Sequence, residues 1–151
     1  MTFSGHTARK RFGQHWLRDE QVLERILQAA DLQAGDRVLE VGPGRGALTE
    51  RLLASPVASV HAVELDRDLV GGLRQRFAAE PRFSLQEGDV LAVALEGPGG
   101  SRATKVVANI PYNITGPLLE RLEAAAESDT ARYIIPPQEA GRAPLAEGEA
   151  L

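Results

Sequence analysis

The chain has 151 residues, enough for about one domain, and at 43% hydrophobic it can bury a core. It has no cysteine, which excludes disulfides and thiolate metal sites, and its three scattered histidines (His6, His15, His61) argue against a histidine-rich metal site. No apolar run approaches the ~20 residues of a membrane span, no apolar signal region is visible, and a net charge of −4 argues mildly against nucleic acid as a partner; the expectation is a soluble cytoplasmic protein.

Residues 1–18 carry Arg9, Lys10, Arg11 and Arg18 and no acid, with Phe12 and Trp16 interleaved. Such a segment suits either a phosphate backbone or a solvated tail. From residue 19 the spacing of Val22, Leu23, Ile26, Leu27 and Ala30 predicts a helix over 19–30, with Asp19 placed to cap it. After the turn Ala34-Gly35-Asp36, a short strand is expected at Arg37–Val41. It leads into the glycine loop Gly42-Pro43-Gly44-Arg45-Gly46 and a helix running to about Ser55.

A second strand is predicted at Val60–Leu65, a helix at Asp68–Phe77, and a third strand at Phe83–Gln86 leading into Gly88-Asp89. The stretch 97–101 reads as a turn-rich loop and Lys105–Ala108 as a fourth strand. Thr115 is expected as an N-cap, with Pro117 in the first turn of a helix reaching about Ala126. Alternating strands and helices argue for parallel βαβ units with right-handed crossovers, and strands apolar nearly throughout are expected where helices cover both faces. Tyr133-Ile134-Ile135 has the composition of a fifth strand. Beyond it, prolines and glycines replace large apolar groups. The expected organisation is a basic segment at 1–18, a Rossmann-like α/β domain at 19–126 and a disordered or divergent tail at 127–151.

Three features carry chemistry. The glycine loop lies between strand and helix, and Gly42, Gly44 and Ala47 satisfy the relaxed pattern G-x-G-x-x-G/A. A purely structural turn would use the same glycines, and the loop alone does not separate a nicotinamide cofactor from S-adenosylmethionine. Glu64 ends the second strand 22 residues after Gly42, near the spacing at which an acid accepts from ribose hydroxyls; a solvated strand-end carboxylate is the plainer alternative. Asp89 follows the third strand, where a carboxylate accepts from an adenine amine or caps a helix, roles that are compatible. Finally, Asn109-Ile110-Pro111-Tyr112 joins a carboxamide, a stiffened backbone and an aromatic ring at the end of the fourth strand. That set suits gripping a planar amine such as a nucleobase, although an Asn-Pro turn with a surface tyrosine has the same composition.

The ordered set Phe12-Gly13-Gln14-His15-Trp16-Leu17, Val38 to Gly44, Val63-Glu64-Leu65-Asp66, Gly88-Asp89-Val90-Leu91 and Asn109 to Asn113 resembles the ribosomal RNA adenine N6,N6-dimethyltransferase family of the KsgA type. The likeness spans about residues 9–122, and His15-Trp16-Leu17 replaces the family's usual Asn-Phe-Leu. The resemblance implies a Rossmann-like fold and S-adenosylmethionine as cofactor. The implied substrate is the N6 of two adjacent adenosines near the 3′ end of small-subunit rRNA, with the immature small ribosomal subunit as partner and the chain a monomer. It implies cofactor contacts at His15, Leu17, Gly42, Gly44, Glu64, Asp89, Val90 and Asn109, with no metal. At the target, Asn109 and the Ile110 carbonyl would accept from the adenine amine beside Pro111, and Tyr112 would stack on its ring.

The family continues into further strands, a second aromatic and a helical domain, which this chain is expected to lack, leaving the fourth strand as an open apolar edge. Large-subunit rRNA methylation, a catalytically impaired RNA- or ribosome-binding fragment and, more distantly, a nicotinamide oxidoreductase are the competing expectations.

Overall fold

The computed structural model describes residues 20–108, 115–125 and 132–134. Five parallel strands form one sheet: β1 (Arg37–Val41), β2 (Ser59–Glu64), β3 (Phe83–Glu87), β4 (Lys105–Ala108) and β5 (Arg132–Ile134), in the order β3-β2-β1-β4-β5. The helices are α1 (Glu20–Ala30), α2 (Ala47–Leu53), α3 (Arg67–Arg76) and α4 (Thr115–Ala125), with a 3₁₀ turn at Pro98–Gly100.

Alternation along the strands builds two cores. Val38, Val60 and Val107 face one side, where Ile26 of α1 and Leu48 and Leu52 of α2 cover them. Leu39, Val63 and Val106 face the other, beneath Leu118 and Leu122 of α4 and Val90 and Leu95 of the segment after β3. Burial on both faces explains the apolar β1 and β4. The expectation of apolar strands fails at β3, none of whose five residues is fully buried. β3 pairs only with β2, so the outer part of the sheet has less to cover it.

Other expectations are corrected. β4 is not an open edge, because β5 pairs with it in parallel, Val106 opposite Tyr133. The fifth strand therefore exists, one residue earlier than expected and within the span read as a tail. Thr115 is the first helical residue of α4 and not the cap before it. α3 begins one residue early because the Asp66 side chain accepts from Asp68 N–H at 2.8 Å and caps it. Asp19, the expected cap of α1, lies outside the described residues.

The lower end of the sheet is tied by one buried cation. Lys105 Nζ donates to the carbonyls of Ala30 and Asp31 at 2.8 Å each, closing the C-terminus of α1, and to Asp36 Oδ2 at 2.9 Å. Burial pushes the Asp36 carboxyl up, but hydrogen bonds from Lys105, Gln33 and Thr104 outweigh it and hold the group below its ordinary value.

Candidate functional site

The strand order reverses direction at β1, which has β2 on one side and β4 on the other. Open parallel sheets bind ligands at this switch point, beyond the carboxyl ends of the strands. The register puts Val41 opposite both Val63 and Ala108, so the glycine loop leaves the sheet level with the end of β4.

Local hydrogen bonds shape the loop. Gly42 N–H donates to the Val63 carbonyl at 2.9 Å and extends the ladder one residue past β1. Gly44 then turns into the left-handed region with φ of 62°, a conformation that is costly for a side-chain-bearing residue. That turn aims Gly44 N–H at Glu64 Oε1, 3.0 Å away.

Glu64 is only 3% exposed and joins three loops. Oε1 accepts from Gly44, Oε2 accepts from Asp66 N–H at 2.9 Å, and its main-chain carbonyl accepts from Gly88 N–H at 2.9 Å. It is therefore a held carboxylate and not a solvated one.

Asp89 is exposed and organises the turn after β3. Its Oδ1 accepts from Leu91 N–H at 2.9 Å, and its carbonyl accepts from Ala92 and Val93 N–H at 2.8 and 3.0 Å. Gly88 has to be small here, since a Cβ would stand 2.4 Å from Val93 Cγ1. The Val90 side chain is buried in the core under α4, which leaves only its backbone to meet a ligand. Gly42, Gly44, Glu64, Asp89 and Val90 thus share one rim. His15, Leu17, Asn109, Ile110, Pro111 and Tyr112 lie outside the described residues.

Two residues beside this rim were not expected as site residues. Glu40 sits inside the apolar strand β1, fully buried, where Thr49 Oγ1 of α2 donates to its Oε1 at 2.5 Å. Burial pushes its carboxyl up to about 7; the Thr49 hydrogen bond opposes this and the nearby Glu64 charge adds to it. A lone acid in the run Val38-Leu39-Glu40-Val41 was the available signal. Leu65 is 66% exposed beside Glu64, the one exposed large hydrophobic side chain among the described residues. An apolar residue between Glu64 and Asp66 was its signal.

Among the described residues no helix is long and apolar enough to cross a membrane. In fold, the chain is similar to a dimethyladenosine transferase from Plasmodium falciparum (TM-score 0.64, 26% identity, 78% of this chain and 42% of that one). It is likewise similar to the 23S rRNA methyltransferase ErmE (TM-score 0.65, 31% identity, 80% of this chain and 47% of that one). The fold is the Rossmann-like methyltransferase fold.

In sequence, the chain is 79% identical over 122 residues to the ribosomal RNA small subunit methyltransferase A of Synechococcus sp. (strain CC9311). It is 75% identical over 122 residues to the protein of that name from Prochlorococcus marinus (strain MIT 9313). Each alignment covers 81% of this chain and 44% of the relative, so the chain spans less than half the length of the curated relatives it matches. The profile described as ribosomal RNA adenine dimethylase matches residues 5–144, nearly the whole chain and past the last motif quoted above, and the chain belongs to the ribosomal RNA adenine dimethylase family.

Proposed function

We propose that this chain binds S-adenosylmethionine at the rim formed by Gly42, Gly44, Glu64, Asp89 and Val90. On this reading it carries the cofactor half and the target-base motif of an enzyme that dimethylates N6 of two adjacent adenosines near the 3′ end of small-subunit rRNA. Its partner is the immature small ribosomal subunit in the cytoplasm, and the chain acts as a monomer.

The observation that carries this reading is the Glu64 carboxylate, buried yet fixed against the glycine loop through Gly44. The residues fit the cofactor. Glu64 is a carboxylate of the kind that accepts from ribose hydroxyls, Leu65 offers an apolar surface, and Asp89 presents an exposed carboxylate to an amine. What separates this cofactor from a dinucleotide is the segment Asn109-Ile110-Pro111-Tyr112, which has no role in hydride transfer.

When bound, the cofactor supplies a methyl group already electrophilic enough to need no strong base. The target nitrogen is the weak partner, because its lone pair is delocalised into the adenine ring. The Asn109 side-chain oxygen and the Ile110 carbonyl accept its two N–H groups, favouring the pyramidal nitrogen whose lone pair is free to attack. Pro111 stiffens that carbonyl's position and Tyr112 stacks on the base once it has left its helix. The chain thus contributes orientation and hydrogen bonds that strengthen as the nitrogen pyramidalises.

The test is calorimetric titration of S-adenosylmethionine, followed by a methyl-transfer assay on immature small subunits, with large-subunit rRNA as a parallel substrate. Failure to bind the cofactor sinks the assignment. Binding without transfer, together with retained affinity for the small subunit, identifies a ribosome-binding fragment instead. Transfer only to large-subunit RNA reassigns the substrate.

A further inference from the structure

Arg121 of α4 reaches back to the turn that follows β3. Its Nη1 donates to the Val90 carbonyl at 2.6 Å and to the Val93 carbonyl at 2.7 Å. These carbonyls belong to the turn that Asp89 closes from inside through Leu91, Ala92 and Val93 N–H. The turn is therefore held twice, by Asp89 within and by a cation 31 residues further along the chain. Val93 also packs over Gly88, and Gly88 N–H is bonded to the Glu64 carbonyl. Arg121 thus braces the part of the rim next to Glu64.

We infer that Arg121 is a positioning residue for the adenine end of the cofactor site, fixing the turn so that the Asp89 carboxylate and Val90 backbone meet the 6-amino edge of the base. This rests on the cofactor reading above. The physical case is conformational entropy. Asp89 is exposed, and an exposed side chain on an untied turn loses more freedom on meeting a ligand than one on a turn already held. One guanidinium nitrogen satisfying two carbonyls does that holding before any ligand arrives. α4 is also the element that follows the Asn109–Tyr112 segment in sequence, so the same arginine ties the turn carrying Asp89 to the helix that comes after the target-base motif.

The test uses the full 151-residue chain and two variants, Arg121→Met, which keeps the stem and removes the donors, and Arg121→Lys. Two measurements are made: amide hydrogen exchange without ligand, and calorimetric binding of S-adenosylhomocysteine against S-inosylhomocysteine, which lacks the 6-amino group. In the unmodified chain the amino compound binds better by about tenfold or more. In Arg121→Met, exchange at Leu91, Ala92 and Val93 rises while β1 and β4 stay protected. S-adenosylhomocysteine then weakens about tenfold and the preference over the inosyl compound largely disappears. Arg121→Lys recovers part of both.

Unchanged exchange in the turn overturns the inference whatever the ligands do. A loosened turn with the base preference intact also overturns it, leaving Arg121 a brace without a role in recognition. An unmodified chain that binds neither compound overturns the cofactor reading itself, and the positioning role falls with it. Should Arg121→Met lose protection throughout the sheet, the Arg121→Lys variant decides by the same two measurements.

Discussion

Thr49 donates its hydroxyl to Glu40 Oε1 across 2.5 Å, and both side chains are buried. Glu40 follows Val38 by two positions on β1 and so points to the side of the sheet that α2 covers. The pair fixes the strand that precedes the glycine loop to the helix that follows it. It also keeps a carboxyl group in the core whose proton state changes near neutral pH.

The sign of that change is testable. The Glu40 carboxyl is raised from 4.5 to about 7 in the folded chain, so between those values the native state binds more protons than the unfolded one. The Glu40 contribution to stability therefore falls as pH rises through this window, by about 3 kcal/mol. Glu40→Gln keeps an acceptor for Thr49 but cannot ionise. His61, whose pKa burial lowers, makes stability rise with pH in the same region, so chemical denaturation between pH 5 and 8 should show Glu40→Gln gaining stability with rising pH relative to the unmodified chain. Parallel slopes would remove the buried titration from Glu40.

Glu64→Gln tests the clasp between loops. Both Glu64 oxygens accept from main-chain N–H groups, those of Gly44 and Asp66. A carboxamide has one oxygen, so its NH2 must face one of these donors. The expected cost is about 1–3 kcal/mol of stability, with S-adenosylmethionine binding weakened about tenfold or more. Thermal melts and calorimetry measure the two effects. Unaltered affinity in a folded variant would separate Glu64 from the cofactor.

Lys105→Met should be the most destabilising of these changes. It takes the Lys105 donor from the Ala30 carbonyl, leaves the Asp31 carbonyl only its bond from Gln33 Nε2, and leaves the Asp36 carboxylate, 12% exposed in its side chain, without its cation. Breaking one partner of such a pair costs about 3–5 kcal/mol. Because the Asp36 carboxyl is held below its ordinary 3.8, its own contribution is present above that value and is lost as pH falls below it. Denaturation of Lys105→Met should therefore show a smaller acid-side loss than the unmodified chain. An equal loss would assign the acid transition elsewhere.

Asn109→Ala addresses the target-base motif. Removing the carboxamide takes away one of the two acceptors proposed for the target amine, and methyl transfer should fall by about 100-fold or more. The circular-dichroism spectrum and the melting temperature should stay close to those of the unmodified chain. Normal turnover in the variant would refute the amine-gripping role.

Much of the fold could be read along the chain. β1 and β4 fall at the residues the apolar runs predicted, and the other elements shift by one or two residues, α3 because Asp66 caps it. Gly44, Glu64 and Asp89 stood out because a glycine loop and acids at strand ends are local signals. Such signals report backbone propensity and the period of burial, which depend on neighbours in sequence. The pairings that assemble the site lie across longer separations: Gly44 on Glu64 20 residues apart and Arg121 on Val90 31 apart, while Lys105 on Ala30, 75 apart, ties the opposite end of the sheet.

The order of strands, helices and motifs, and with it the family, is written along the chain. Folding is what brings the buried charges together, seats β5 against the side of β4 and holds the turn carrying Asp89 from α4. A charge survives burial only when packing brings a partner to it, and packing is a property of the folded chain.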